Sequence, residues 1–227
     1  MSLKDLDNPG WHALNSYHNH LSLWGKIVIR YQPDTFQVAA MSENTISGFN
    51  DLNKLVAADE TLFVVGTLPQ NLPGWQVLQS AQVPQMICED LKPAAQIDAI
   101  KLSKEDVPEM LHLVALAQPG PFLPRTIEMG DFFGIRQGGK LVAMAGERLH
   151  LPGYCEISAV CTHLDYRSRG YAGSLTSTVA QGSIARGETP FLHVRADNHN
   201  AMRFCQKLGF RIRTEIELYG IQKVNKQ

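Results

Sequence analysis

The chain has 227 residues, 21 basic and 22 acidic side chains, a net charge of −1 and 44% hydrophobic residues, which fits one folded domain or two small ones. Near-neutral charge offers no global basic field for a nucleic acid, and no apolar run is long enough to span a bilayer. The opening MSLKDLDNPGW lacks a hydrophobic signal core, so the expected compartment is the cytosol.

In chain order, Lys26–Tyr31, Thr61–Gly66 and Trp75–Leu78 read as strands and Asp51–Ala58 as a short helix. Pro69, Pro73, Pro84 and Pro93 punctuate the stretch from 69 to 93, and Glu89–Gln96 reads as a boundary. That divides the chain into an N-terminal α/β region, residues 1–95, and a second unit, residues 96–227. Ile97–Leu102 reads as a strand, Ser103–Asp106 as a capping-box start and Val107–Ala117 as a helix, broken by Pro119-Gly120-Pro121. Asp131–Arg136, Leu141–Leu149 and Tyr154–Thr162 form an antiparallel meander joined at Gln137–Lys140 and Leu151–Gly153. A helix over Gly173–Arg186, a strand at Pro190–Val194, a second helix beginning near Asn198 or Asn200, and strands at Arg211–Leu218 and Tyr219–Lys223 complete the pattern. Meander plus crossover gives an α/β (α+β) fold: a mixed, mainly antiparallel central sheet flanked by helices. No motif supports a degenerate second copy of it in residues 1–95.

Four cysteines, Cys88, Cys155, Cys161 and Cys205, fit no zinc spacing and are expected as free thiols. The pair His18 and His20 has no acidic or cysteine partner close in sequence and reads as surface or packing histidine; no metal is expected.

The most informative stretch is residues 156–172, EISAVCTHLDYRSRGYA. A strand feeds a polar loop that ends in Arg167-Ser168-Arg169-Gly170-Tyr171-Ala172, and a helix comes next. Amides at a helix start lack acceptors and carry the positive end of the helix dipole, which suits an anion. Gly170 lets backbone approach such an anion closely. The loop is neither G-x-x-x-x-G-K-[ST] nor G-x-G-x-x-G, which excludes the common nucleotide loops. No G-x-S-x-G elbow appears, which disfavours a serine hydrolase.

The spacing Arg167-x-x-Gly170-x-Ala172 resembles the pyrophosphate loop of the GNAT (Gcn5-related N-acetyltransferase) superfamily, [Q/R]-x-x-G-x-[G/A]. Downstream, Asn198-x-x-Ala201-x-x-Phe204-Cys205-x-x-x-Gly209-Phe210 resembles its motif N-x-x-A-x-x-[L/F]-[Y]-x-x-x-G-F. The wording EISAVCTH, RGYA, TPFLHV and KLGF is most similar to the FR47-like branch. The resemblance runs from about Lys101 to Lys223 and is densest between Cys155 and Phe210.

The resemblance implies an N-acyltransferase that moves an acetyl group from acetyl-CoA to a primary amine of a small molecule or peptide. A catalytically weak CoA-binding module is the alternative. The diphosphate would lie on Arg167, Ser168, Arg169, Gly170, Tyr171 and Ala172, with Gly173 just beyond. The pantetheine arm would lie along Val160, Cys161 and Thr162, with Asn198 and Ala201 contacting it from the far side. Glu156 is the candidate base, expected to have a raised pKa on a buried strand; otherwise it faces solvent or pairs with an arginine. Cys205 stands where many members carry a tyrosine acid; Cys205, Tyr219 or water would take that place, and the acid is left unassigned among them. The partners implied are acetyl-CoA and an amine, with no nucleic acid and no membrane, and a homodimer is compatible with them.

Overall fold

A computed structural model describes residues 2–95 and 97–224. Gln96 of the expected boundary segment, and the last three residues of the expected second unit, lie outside the described residues.

The N-terminal layer begins with helix α1 (Pro9–Leu14), started by Pro9 and capped by the Asn8 side chain. A small antiparallel sheet comes after it: β1 (Ser22–Trp24), β2 (Ile29–Tyr31) and β3 (Ala39–Ala40). Helix α2 (Ile46–Leu52) is next, and its cap is the Thr45 side chain bonded to Gly48 N. The helix expected at Asp51–Ala58 is therefore displaced toward the N-terminus, because Thr45 supplies the start signal.

The main sheet contains β4 (Thr61–Val65), β5 (Trp75–Cys88), β6 (Ile100–Lys101), β7 (Phe132–Gln137), β8 (Lys140–Leu151), β9 (Tyr154–Thr162), β10 (Thr189–His193) and β11 (Phe210–Lys223). Helix α3 (Val107–Ala117) precedes β7, α4 (Tyr171–Ala185) joins β9 to β10, and α5 (His199–Lys207) joins β10 to β11. The strand order is β4-β11-β5-β10-β9-β8-β7-β6, and within this sheet β9 and β10 form the parallel pair while the other pairs are antiparallel. The mixed, mainly antiparallel sheet is the fold class read from the pattern.

Two strands run longer than the sequence suggests. β5 passes through Pro84 instead of ending at Leu78, and β11 is continuous across residues 211–223. Proline is tolerated because its carbonyl, which accepts from Val194 N, and with it the place of its missing N–H, faces the β10 side just beyond the point where β10 ends at His193. Conversely, the strand expected at Ile97–Leu102 shrinks to Ile100–Lys101.

The sheet is continuous across the segment near residue 95, since β5 pairs with both β10 and β11. Helices α4 and α5 cover one face through Leu175, Val179, Cys205 and Leu208, packed on Ile157 and Leu192. The N-terminal layer covers the other through Leu14, Tyr31 and Phe36, packed on Leu149 and Phe191. Burial of such side chains contributes about 1.5–3 kcal/mol each.

Candidate active site

β9 and β10 pair from Thr189↔Tyr154 to Phe191↔Glu156. Beyond that point β9 stays with β8 (Ser158↔Gly146, Cys161↔Met144), and β10 turns to β5 (His193↔Gln85). Between these β8 partners Ala159 and Val160 stand opposite Ala145 alone, and Ala159 adopts φ +53°. This bulge ends ordinary pairing and turns β9 away from its parallel neighbour. Where the strands part, a cavity of about 620 Å³ opens.

One end of the cavity is the loop before α4. Gly170 caps the helix in a left-handed conformation, φ +81°, with no side-chain cap, and Ser168 is also left-handed at φ +63°. Ser174 N is the first amide of the helix to find a backbone acceptor, at Gly170 O. Among the described residues, the amides of Ser168–Gly173 have none. Arg167, Ser168, Arg169 and Gly170 are exposed, and Arg169 lies over the Tyr166 ring with its Nη2 on Asp165 O. The loop is thus open, donor-rich and positively charged, an arrangement suited to phosphate.

The structure brings all twelve residues assigned to cofactor contact to this one cavity: Val160, Cys161 and Thr162 on β9, Arg167 to Gly173 at the loop, and Asn198 and Ala201 at the start of α5. Asn198 caps α5 by accepting from Ala201 N through Oδ1, which leaves its Nδ2 amide for another partner. Gly209 ends the segment at φ +96°, where a Cβ would lie 2.1 Å from Asp90 O; only glycine fits there.

The candidate catalytic residues fall out differently. Glu156 is fully buried, and it is paired with an arginine. Arg148 donates from Nε to Oε2 at 2.9 Å and from Nη2 to Oε1 at 2.6 Å, and His193 Nδ1 donates to Oε1 at 2.6 Å. Burial alone would push the Glu156 carboxyl up, but the Arg148 guanidinium and the His193 ring outweigh it and hold the group well below the usual carboxylate range. The expected raised pKa is corrected accordingly. Cys205 is buried in the cavity wall, and burial pushes its thiol up to about 12, which makes it a poor proton donor toward an ordinary thiolate. Tyr219 lies on β11 between Val64 and Ser80, outside the cavity, and is removed from the acid candidates.

Sequence reasoning missed the cage around Glu156. Gln85 Nε2 donates to His193 Nε2 at 3.0 Å and to Leu6 O at 2.8 Å, while its Oε1 accepts from Arg213 Nε at 2.6 Å. Arg213 in turn holds Asp7 at 2.6 Å. The only available signal was Phe191-x-His193 alternation, which puts His193 on the same face as the partner of Glu156.

Glu147, His150 and Cys155 bring ligand atoms within 4.8 Å of one another. Arg186 Nη2 already lies 2.5 Å from Glu147 Oε1, and His150 Nε2 lies 2.5 Å from Glu188 Oε1, so a guanidinium holds the place a cation would take. His18 is buried between Tyr31 Oη at 2.7 Å and Met129 O at 2.9 Å, a packing role and not a ligand pair with exposed His20.

The family model described as FR47-like protein matches residues 132–218. A solved GNAT-family acetyltransferase from Novosphingobium aromaticivorans is 34% identical, with 97% of this chain and 99% of that one covered and a TM-score of 0.86. A GCN5-related N-acetyltransferase from Kribbella flavida shares the fold at 16% identity, with 96% and 97% covered and a TM-score of 0.61. A GNAT-family acetyltransferase from Colwellia psychrerythraea does so at 17%, with 71% and 65% covered and a TM-score of 0.54. No curated protein matches. Likeness along the whole length of the Novosphingobium protein, together with the FR47-like match over β7 to β11, establishes that this chain belongs to the GNAT superfamily, in its FR47-like branch.

Proposed function

We propose that the chain is an acetyl-CoA-dependent N-acyltransferase that acetylates a primary amine by direct attack. The observation that carries this reading is the parting of β9 and β10 beside the open, glycine-capped start of α4, within one cavity. The amides of Ser168–Gly173, with Arg167 and Arg169, would hold the diphosphate. The pantetheine arm would add itself along the free edge of β9, with the Asn198 amide meeting it from the other side. The N–H of Val160 or Cys161 would polarise the thioester carbonyl, worth a few kcal/mol of barrier. The neutral amine attacks the carbonyl carbon; the C–N bond forms, the C–S bond breaks, the nitrogen gives its surplus proton to water and the thiolate takes one up. In this reading residues 96–227 are the donor-binding unit, residues 1–95 close the acceptor side, and the protein works in the cytosol. Glu156, held as an anion, fixes Arg148 and His193 at the cavity floor and does not itself accept the proton.

Calorimetry with acetyl-CoA, and CoA release across an amine panel, test the reading. Absence of acetyl-CoA binding sinks it. The second reading, a CoA-binding module without turnover, is favoured by one observation: neither Cys205, with its thiol pushed up by burial, nor caged Glu156 is a ready acid or base. Tight binding without CoA release on any amine would select it.

A further inference from the structure

The cavity floor has a chemistry that bears on the acceptor. Among the described residues that line the cavity there is no aspartate or glutamate, whereas arginine occurs at 148, 167, 169 and 195. Arg167 and Arg169 belong to the phosphate loop, and Arg195 is exposed and paired with Asp197. Arg148 is different: it comes from β8, on the face covered by the N-terminal layer, and its side chain is 15% exposed. Its guanidinium carbon lies over the Phe36 ring, 4.9 Å from the centroid, and Nε and Nη2 are committed to Glu156. Among the described residues Nη1 has no acceptor, so its two N–H groups are the free edge of a group fixed on its other sides.

We propose that Arg148 Nη1 receives the carboxylate of the acceptor, and that the acceptor is a small carboxylate-bearing amine such as an α-amino acid. This inference rests on the acyltransferase reading. Three features support it. A free guanidinium edge takes a carboxylate oxygen in a charge-assisted hydrogen bond. A cavity lined by arginine without carboxylates repels a polycationic amine. Glu156 and Phe36 leave the guanidinium no freedom to reorganise, so recognition costs little entropy.

The test compares glycine, alanine and phenylalanine, each against its own carboxamide, as acceptors in a CoA-release assay. Removing the carboxylate lowers the basicity of the amine and enlarges its neutral, reactive fraction, so chemistry alone favours the carboxamide. The expected result is the opposite: the carboxylate form is preferred by about tenfold or more in kcat/KM. Arg148→Lys keeps a charge opposite Glu156 but removes the Nη1 edge, and it should abolish that preference or reverse it in favour of the carboxamide; circular dichroism verifies that the variant folds. Calorimetry with acetyl-CoA on the same preparations separates failure of the acceptor inference from failure of the acyltransferase reading. Intact acetyl-CoA binding with equal or better use of the carboxamides, or with no turnover of either, overturns the carboxylate inference alone. Loss of acetyl-CoA binding in the wild-type protein overturns the acyltransferase reading and this inference with it.

Discussion

His193 Nδ1 donates to Glu156 Oε1 across 2.6 Å, and the other ring nitrogen faces the Gln85 amide at 3.0 Å. A carboxylate can only accept, so the ring proton lies on Nδ1, and Nε2 accepts from Gln85. Gln85 cannot turn over to offer its oxygen, because Oε1 is held by Arg213 and Nε2 by Leu6 O. Both nitrogens of His193 are therefore engaged, both oxygens of Glu156 accept a hydrogen bond, and Glu156 is fully buried, so neither residue presents an accessible lone pair to the cavity. The pair is a positioning device.

This fixes what Glu156→Gln should do. Wild-type Glu156 stays charged throughout the neutral range, so its removal lowers kcat/KM by a similar factor from about pH 6 to pH 9. A proton-accepting Glu156 would instead make the loss largest at neutral pH and small in alkali. A pH–rate profile of the two proteins distinguishes the outcomes, and a loss confined to neutral pH would restore Glu156 as base.

Stability gives a second handle on the cage. Arg148→Met leaves the fully buried Glu156 with His193 as its remaining partner, and breaking a buried pair in this way costs about 3–5 kcal/mol. Glu156→Gln should cost less, because the Arg148 side chain reaches the cavity and its charge can hydrate. The double variant Arg148→Met with Glu156→Gln should recover most of the loss of Arg148→Met. Urea denaturation of the three proteins measures this; a double variant no more stable than Arg148→Met would mean that the charge pair is not what the core depends on.

The loop end of the cavity was legible because it is local: the loop, its glycine and the asparagine cap lie within short runs whose spacing alone places them. The meander from Phe132 to Thr162 was legible for the same reason, since alternation and turn residues agree. What the sequence hid is non-local. Arg148 meets Glu156 only because the β8–β9 register slips between Glu147 and His150, leaving two β8 residues against one on β9, and no pattern in a single strand announces such a bulge. Gln85 reaches His193 only because β5 continues through Pro84, which sequence reading treats as a break. The cage depends on both irregularities, so its chemistry became visible only with the register.

Buried His18 predicts a pH dependence of stability. Burial lowers its pKa from 6.5 to about 4 in the folded chain, despite the favourable hydrogen bond to Met129 O. The unfolded chain therefore binds the proton more readily, and stability must fall as the pH drops from about 6.5 toward 4, by up to about 3 kcal/mol. Glu156 acts below that window: its contribution is complete above about pH 4.3 and is lost on further acidification. His18→Gln, which retains a donor for Met129 O, should flatten the first part of the curve and leave the second. Unfolding free energies measured at intervals from about pH 7 to about pH 3 test this; an unchanged slope in His18→Gln between about pH 6.5 and 4 would remove His18 as the titrating group.

Conformation and charge make separable contributions at the start of α4. Gly170→Ala puts a Cβ on a residue at φ +81°, where the nearest atom, Ile97 Cδ1, is 3.8 Å away. There is room for the methyl group, so the penalty is backbone strain alone, about 1 kcal/mol. If the helix relaxes to escape that strain, the amides of Ser168–Gly173 rotate out of register, and acetyl-CoA affinity should fall about tenfold or more. Arg167→Ala removes only an exposed charge and should leave stability within about 0.5 kcal/mol. It should weaken acetyl-CoA binding most at low salt, because an exposed charge acts through a screened field. The amides, by contrast, are hydrogen-bond donors at contact distance, and the loss in Gly170→Ala should persist at high salt. Titration of acetyl-CoA into both variants at two ionic strengths resolves the two contributions, and equal salt dependence in both would show that charge alone makes the loop a phosphate site.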